Sequence, residues 1–139
     1  MTKIDPKLRR ALAGISGILV TPFDADDDVA PKRLKPIIDR AVGAGVHILV
    51  ANGNTGEFYG LTTKEAETMV HSVAEQLGGR APLLGGVGRS IGDACALAKA
   101  SKAAGATALM CASGVTSCTL TEIASGFVRF SIQTRASVG

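Results

Sequence analysis

Gly53-Asn54-Thr55-Gly56-Glu57 is the stretch whose residue types come closest to a binding chemistry. Two glycines let the backbone turn sharply and expose peptide N–H groups, and Thr55 adds a hydroxyl donor. Such a cluster suits a carboxylate or phosphate oxygen. The same residues equally make a strand-to-loop turn whose Asn and Thr satisfy neighbouring backbone groups. Residue types leave both readings open.

Other candidates carry less. Gly85-Gly86-Val87-Gly88-Arg89-Ser90 suggests a phosphate loop but puts Arg-Ser where a P-loop needs Lys-Ser/Thr, and Ile91 where a dinucleotide fingerprint needs its third glycine. A tight turn at a sheet rim is expected instead. Asp26-Asp27-Asp28 is expected to be a solvated turn rather than a cation site. His47 and His71 have no partner at ligand spacing and are expected to be structural. Tyr59, the only tyrosine, is expected at a rim or in packing, and Lys99 and Lys102 in solvent. Cys95, Cys111 and Cys118 contain no CxxC pair. They read as small buried hydrophobes in a reducing, cytoplasmic compartment.

Strands and helices must place these residues, and four short apolar runs recur, each followed by a stretch of helical period. Residues 17–23, closed by Pro22, read as a strand, and residues 24–28 as an acidic turn. A helix follows with Leu34, Ile37, Ile38, Ala41 and Val42 on one face. Pro36 within it predicts a kink or a late start. Residues 46–51 form the second strand. Thr62 and Glu65 then make a capping box ahead of a helix with Ala66, Met69, Val70, Val73 and Leu77 on one face, stopping at Gly78-Gly79. Residues 82–87 give the third strand. Ser90 and Asp93 cap a helix with Ala94, Leu97, Ala98 and Ser101 inward, and residues 106–110 give the fourth strand. Alternating strands and helices mean a parallel sheet, and strands apolar throughout mean that both its faces are covered. Pattern by itself does not separate a closed barrel from an open doubly wound sheet. Beyond Met110 the alternation fails in a Ser/Thr-rich stretch with one periodic candidate, residues 123–130.

Bulk composition sets outer limits. The chain has 139 residues, 46% hydrophobic and 19% charged, which argues against disorder and for one domain with a core. That length falls short of the roughly 250 residues of a complete (β/α)8 barrel. The formal charge of +3 is not gathered into a basic stripe: Lys3, Lys7, Arg9, Arg10 and Arg89 are scattered. With 4% aromatic residues and no Trp, there is little to stack on bases, so no nucleic-acid partner is expected. The apolar runs are too short to span a bilayer, and residues 1–10 lack a signal core, so no membrane partner is expected either.

Gly17-Ile18-Leu19-Val20-Thr21-Pro22-Phe23, then Ala44-Gly45-Val46, then Gly53-Asn54-Thr55-Gly56-Glu57-Phe58 with Leu61-Thr62, resembles the N-terminal signature of the dihydrodipicolinate synthase and N-acetylneuraminate lyase family. Gly85-Gly86-Val87-Gly88 and Ala103-Ala104-Gly105-Ala106 sit at matching places, so the likeness runs over about residues 14–110. The resemblance implies an α/β fold, here a partial TIM (β/α)8 barrel of about four N-terminal βα units. It implies a small-molecule 2-keto acid such as pyruvate, held as a Schiff base on a lysine of strand six, without metal or cofactor. That iminium is an electron sink for aldol cleavage, condensation or dehydration. Members form homo-oligomers. The resemblance assigns the substrate carboxylate to Gly53, Asn54, Thr55 and Gly56, with Thr55 and the neighbouring N–H groups as donors.

Two departures follow. Asn54 stands where several members carry a Thr or Ser that relays protons to a tyrosine, and an amide relays protons poorly. This favours a sugar-acid dehydratase or aldolase over dihydrodipicolinate synthase itself. Residues 111–139 contain no lysine and no tyrosine, whereas the family's catalytic pair belongs to strands five and six. The expected organisation is an arm over residues 1–13, half a barrel over 14–110 and an unmatched tail over 111–139. The expected protein is a truncated lyase with no catalytic residue of its own, inactive by itself, its ending produced by a frameshift or assembly error. Half a barrel leaves unpaired strand edges, so self-association is expected. A small α/β module that binds an anionic metabolite without catalysis is the alternative.

Overall fold

The computed structural model describes residues 5–111. The expected tail from 112 onward, Cys118 included, lies outside the described residues. Eight regular elements alternate: α1 (Pro6–Leu12), β1 (Ser16–Ile18), α2 (Lys35–Gly43), β2 (Ile48–Ala51), α3 (Thr63–Leu77), β3 (Leu83–Val87), α4 (Ile91–Ala103) and β4 (Ala108–Cys111). The four strands are parallel in the order β1-β2-β3-β4, with Ser16 opposite Ile48, Leu49 opposite Leu83 and Leu84 opposite Ala108.

Because side chains alternate across a strand, the sheet divides its apolar residues between two faces. Leu49, Ala51, Leu83, Val87 and Leu109 point to the helices and pack with Ile38 of α2, with Met69, Val70, Val73 and Leu77 of α3, and with Leu97 of α4. Ile48, Val50, Leu84 and Ala108 point to the other face, which would line a closed barrel, and Leu8 and Ala11 of α1 cover them. Each fully buried aliphatic side chain is worth about 2 kcal/mol. Such burial holds α1, since seven residues are too few for an isolated helix. Asp5 caps it, its carboxylate accepting from the Lys7 N–H at 2.8 Å.

Both long helices follow the sequence pattern. Thr62 and Glu65 form the capping box at the start of α3, and Gly78 ends it in the left-handed region at φ 58°. Ser90 caps α4 by accepting from the Asp93 N–H at 3.1 Å. The inward sets expected for both helices are the buried sets. Gly85 lets α4 come close, because a Cβ there would stand 2.3 Å from the Ser101 hydroxyl.

The structure corrects three expectations. The first strand ends at Ile18 instead of running on to Phe23: after Leu19 the chain leaves the ladder, where Pro22 has no N–H to offer it. Ile37 does not face the core and is 44% exposed. Leu34 belongs to a 3-10 turn (Pro31–Leu34), whose tighter pitch changes the phase before α2 begins, so Leu34 and Ile38 go inward and Ile37 does not. Pro36 sits in the first turn of α2, where its missing N–H costs nothing. Cys95 and Cys111 are half-buried rather than buried. Among the described residues no helix is long and apolar enough to cross a membrane.

Candidate carboxylate-binding site

The loop after β2 is built by a succession of constrained residues. Asn52 leaves the strand in the left-handed region at φ 58°, which Asn tolerates better than most residues. It is 4% exposed, and its Nδ2 donates to the Ala66 carbonyl at 2.9 Å, tying the loop's start to α3. Gly53 is buried where a Cβ would stand 2.5 Å from a methyl of Ile18. Asn54–Gly56 form a 3-10 turn closed by the Gly56 N–H donating to the Gly53 carbonyl at 3.0 Å. A Cβ on Gly56 would stand 2.3 Å from the Leu19 carbonyl oxygen. Two glycines are therefore needed for close approach to the exit of β1.

Two further ties hold the loop. The Thr21 hydroxyl donates to the Gly56 carbonyl at 2.6 Å. Glu57 reverses the chain at φ 64°, and Phe58–Gly60 make a second 3-10 turn. Phe58 is 1% exposed and anchors that turn in the core. Arg89, just past β3, lays its guanidinium 4.5 Å above the Phe58 ring, and its Nη2 donates to the Phe58 carbonyl. The loop is thus fastened to the ends of β1 and β3 as well as β2.

This arrangement leaves Asn54 and Thr55 exposed at the rim, while Gly53 and Gly56 are buried beneath them. Neither exposed side chain has a partner among the described residues. A hydroxyl and an amide can together donate to a carboxylate. The four residues expected at the site are brought together, two as scaffold and two as presenting side chains.

The remaining candidates are dispersed. Tyr59 is 54% exposed, its ring 5.3 Å from that of Phe58. Lys99 and Lys102 lie on the exposed side of α4. His47 precedes β2, and its Nδ1 accepts from the Ile15 N–H at 3.0 Å, a structural use; His71 is exposed on α3. Asp26, Asp27 and Asp28 are exposed, in a turn organised by the Asp24 carboxylate, which accepts from the N–H groups of Asp26 and Asp28. Gly85, Gly86 and Val87 are not the expected rim turn but the last three residues of β3, paired with Leu109, Met110 and Cys111, and only Gly88 leaves the strand. Gly86 lies so close to Asn52 that a Cβ would stand 1.9 Å from its carbonyl oxygen.

Sequence reasoning missed Thr21, Asn52 and Arg89. Their signals were faint: Thr21 precedes a proline, Asn52 opens the loop, and Arg89 follows Gly-Val-Gly directly. It also missed a link between helix starts, where Asp93 accepts from Ser90 at 2.5 Å and Thr63 at 2.6 Å. Those two hydroxyls hold the Asp93 carboxyl below its usual range, and the Arg89 charge adds to them. The Thr62 hydroxyl and N–H do the same for Glu65. Burial pushes the Cys111 thiol up, which keeps it protonated and a poor nucleophile.

Parallel βα units joined in chain order, with a glycine-framed loop at the carboxyl end of the second strand, define a partial (β/α)8 barrel of the class that binds ligands at strand ends. Comparison with known proteins narrows the class. The Dihydrodipicolinate synthetase family model matches residues 11–113, and the chain belongs to that family. It is 36% identical over 98 residues to a 4-hydroxy-tetrahydrodipicolinate synthase of Salinibacter ruber, covering 70% of this chain and 32% of that one. A probable 5-dehydro-4-deoxyglucarate dehydratase of a Bradyrhizobium strain is 35% identical over 113 residues, 79% of this chain and 36% of its own. The chain therefore spans about a third of the length of these relatives. The crystal structure of dihydrodipicolinate synthase from Bacillus clausii superposes with a TM-score of 0.74 at 36% identity, covering 84% of this chain and 43% of that one. YagE, a prophage protein of the dihydrodipicolinic acid synthase family from E. coli K12 crystallised with pyruvate, gives 0.70 at 25% identity, covering 79% and 39%.

Proposed function

We propose that this chain supplies the carboxylate-binding side of a 2-keto-acid Schiff-base lyase site, with Thr55 and Asn54 presenting donors and Gly53 and Gly56 shaping the loop. The observation that carries this reading is the loop itself: two glycines without room for a Cβ, fastened to three strands, leave two unpartnered polar side chains at the carboxyl end of a parallel sheet. The pyruvate bound to YagE supports the substrate class.

Relatives named as synthase and as dehydratase match almost equally well, so overall identity does not choose between them. Asn54 favours the second: an amide hydrogen-bonds a substrate hydroxyl but does not shuttle protons as a Thr or Ser would. A sugar-acid dehydratase or aldolase is the reading preferred. In the 139-residue polypeptide no lysine of residues 5–111 lies in this loop, and residues 112–139 contain none. The polypeptide by itself then binds a 2-keto acid without forming an iminium. The unpaired outer edges of β1 and β4 among the described residues support self-association.

The test is borohydride reduction of the purified polypeptide with pyruvate, read by intact mass, beside a titration followed in 1H–15N spectra. Shifts at Asn54, Thr55 and Gly56 with no trapped adduct are expected. An adduct on Lys99 or Lys102 overturns the claim that no iminium forms. Silence of the loop at saturating pyruvate overturns the binding claim.

A further inference from the structure

Arg89 has more to do than close a turn. Its Nη2 bonds the Phe58 carbonyl and its guanidinium covers the Phe58 ring. Its Nε is buried without a partner, and among the described residues no carboxylate stands within ion-pair distance of it. Its charge does act on the Asp93 and Glu65 carboxyls, which it helps hold low, but from beyond ion-pair distance. Its backbone is in the left-handed region at φ 69°, as are Asn52 and Glu57, so three of the four such non-glycine residues among the described residues gather at the carboxyl ends of β2 and β3. Strained backbone of this kind persists only where its surroundings over-determine it. The grip of Arg89 on Phe58, the residue after Glu57, supplies that constraint. A lysine offers no planar face and no fixed fork, so it cannot bond the carbonyl and cover the ring together.

We propose that Arg89 is a positioning residue for the loop of residues 53–57: by gripping Phe58 it sets the direction in which Thr55 meets an anion, and its charge, ion-paired with no carboxylate among the described residues, adds to the pull on that anion. The proposal rests on the carboxylate reading of this loop.

Amide hydrogen exchange and a pyruvate titration of the 139-residue chain, followed in 1H–15N spectra, test it on Arg89→Met and Arg89→Lys. In Arg89→Met the amides of residues 53–60 are expected to exchange roughly tenfold faster, while Val70 and Val73 of α3 keep their rates. The pyruvate concentration at half-response of Thr55 is expected to rise about tenfold or more. Arg89→Lys keeps the charge but loses the grip, so its loop exchanges as fast as in Arg89→Met while its pyruvate response falls between the other two. Unchanged loop exchange overturns the proposal, and so does equal acceleration in loop and α3, which marks a residue of general stability only. A wild-type chain that ignores pyruvate sinks the carboxylate reading, and loop exchange then still decides whether Arg89 grips the loop. Should Arg89→Met not fold, Arg89→Lys is judged by the same loop-against-α3 comparison.

Discussion

Replacing Gly86 by alanine adds one methyl group at the point where β3 passes under the start of the binding loop. The new Cβ would stand 1.9 Å from the Asn52 carbonyl oxygen, 2.7 Å from its carbon and 3.2 Å from the Ala51 carbonyl oxygen. All three are backbone atoms of β2 or its exit, so no side chain can rotate away. Relief requires the two strands to separate by about 1 Å, close to what breaks one ladder hydrogen bond, worth about 1 kcal/mol net. Overpacking adds about 1–3 kcal/mol, for a total of about 3 kcal/mol. A domain of this size loses about 4–8 °C per kcal/mol, so Gly86→Ala is expected to melt more than about 10 °C below wild type. Thermal unfolding followed by far-ultraviolet circular dichroism measures this, with Gly60→Ala as the control. Nothing lies within 4 Å of a Cβ at Gly60, and its φ is not positive, so that variant is expected within about 2 °C of wild type. Equal melting temperatures for the two variants would refute the account of why Gly86 must be glycine.

Two further outcomes follow from the helix starts. Thr62→Ala removes the hydroxyl that accepts from the Glu65 N–H and bonds the Glu65 carboxylate, and is expected to lower stability in urea by about 1 kcal/mol. Asp39, Glu65 and Asp93 titrate below the usual carboxylate range, Asp39 because Lys35 and Arg80 bond it. A carboxyl lowered on folding contributes its full stabilisation above the unfolded value near pH 4 and loses it as pH falls through the folded value. The urea midpoint is therefore expected to fall on acidification below about pH 4–5, less steeply in Asp93→Asn; an equal slope in that variant would contradict the role given to Ser90 and Thr63.

What was legible in the sequence is what local periodicity encodes. Ala66, Met69, Val70, Val73 and Leu77 recur at helical spacing behind a capping box, and all are buried on α3. Strand ends were less legible, because leaving a ladder depends on what the neighbouring chain does: residues 19–23 are apolar apart from Thr21 but are drawn off the sheet to meet Gly56. The glycine pair of the binding loop was visible as composition; its necessity was not, since the clashes involve residues more than thirty positions away. Arg89 looked like one scattered cation, because no sequence period links it to Phe58. The helix within the expected N-terminal arm escaped notice for a related reason. Leu8 and Ala11 form too short an apolar stripe to read without the sheet face they cover.

That coverage has a kinetic corollary. Leu8 and Ala108 share one apolar cluster although a hundred positions separate them along the chain. During synthesis the amino-terminal helix emerges first, yet its landing surface is complete only once β4 has been translated and paired. Closing so long a loop carries an entropic cost that local contacts avoid. Docking of residues 6–12 on that complete surface therefore follows the pairing of β4, and until then Leu8 and Leu12 are available to nascent-chain chaperones.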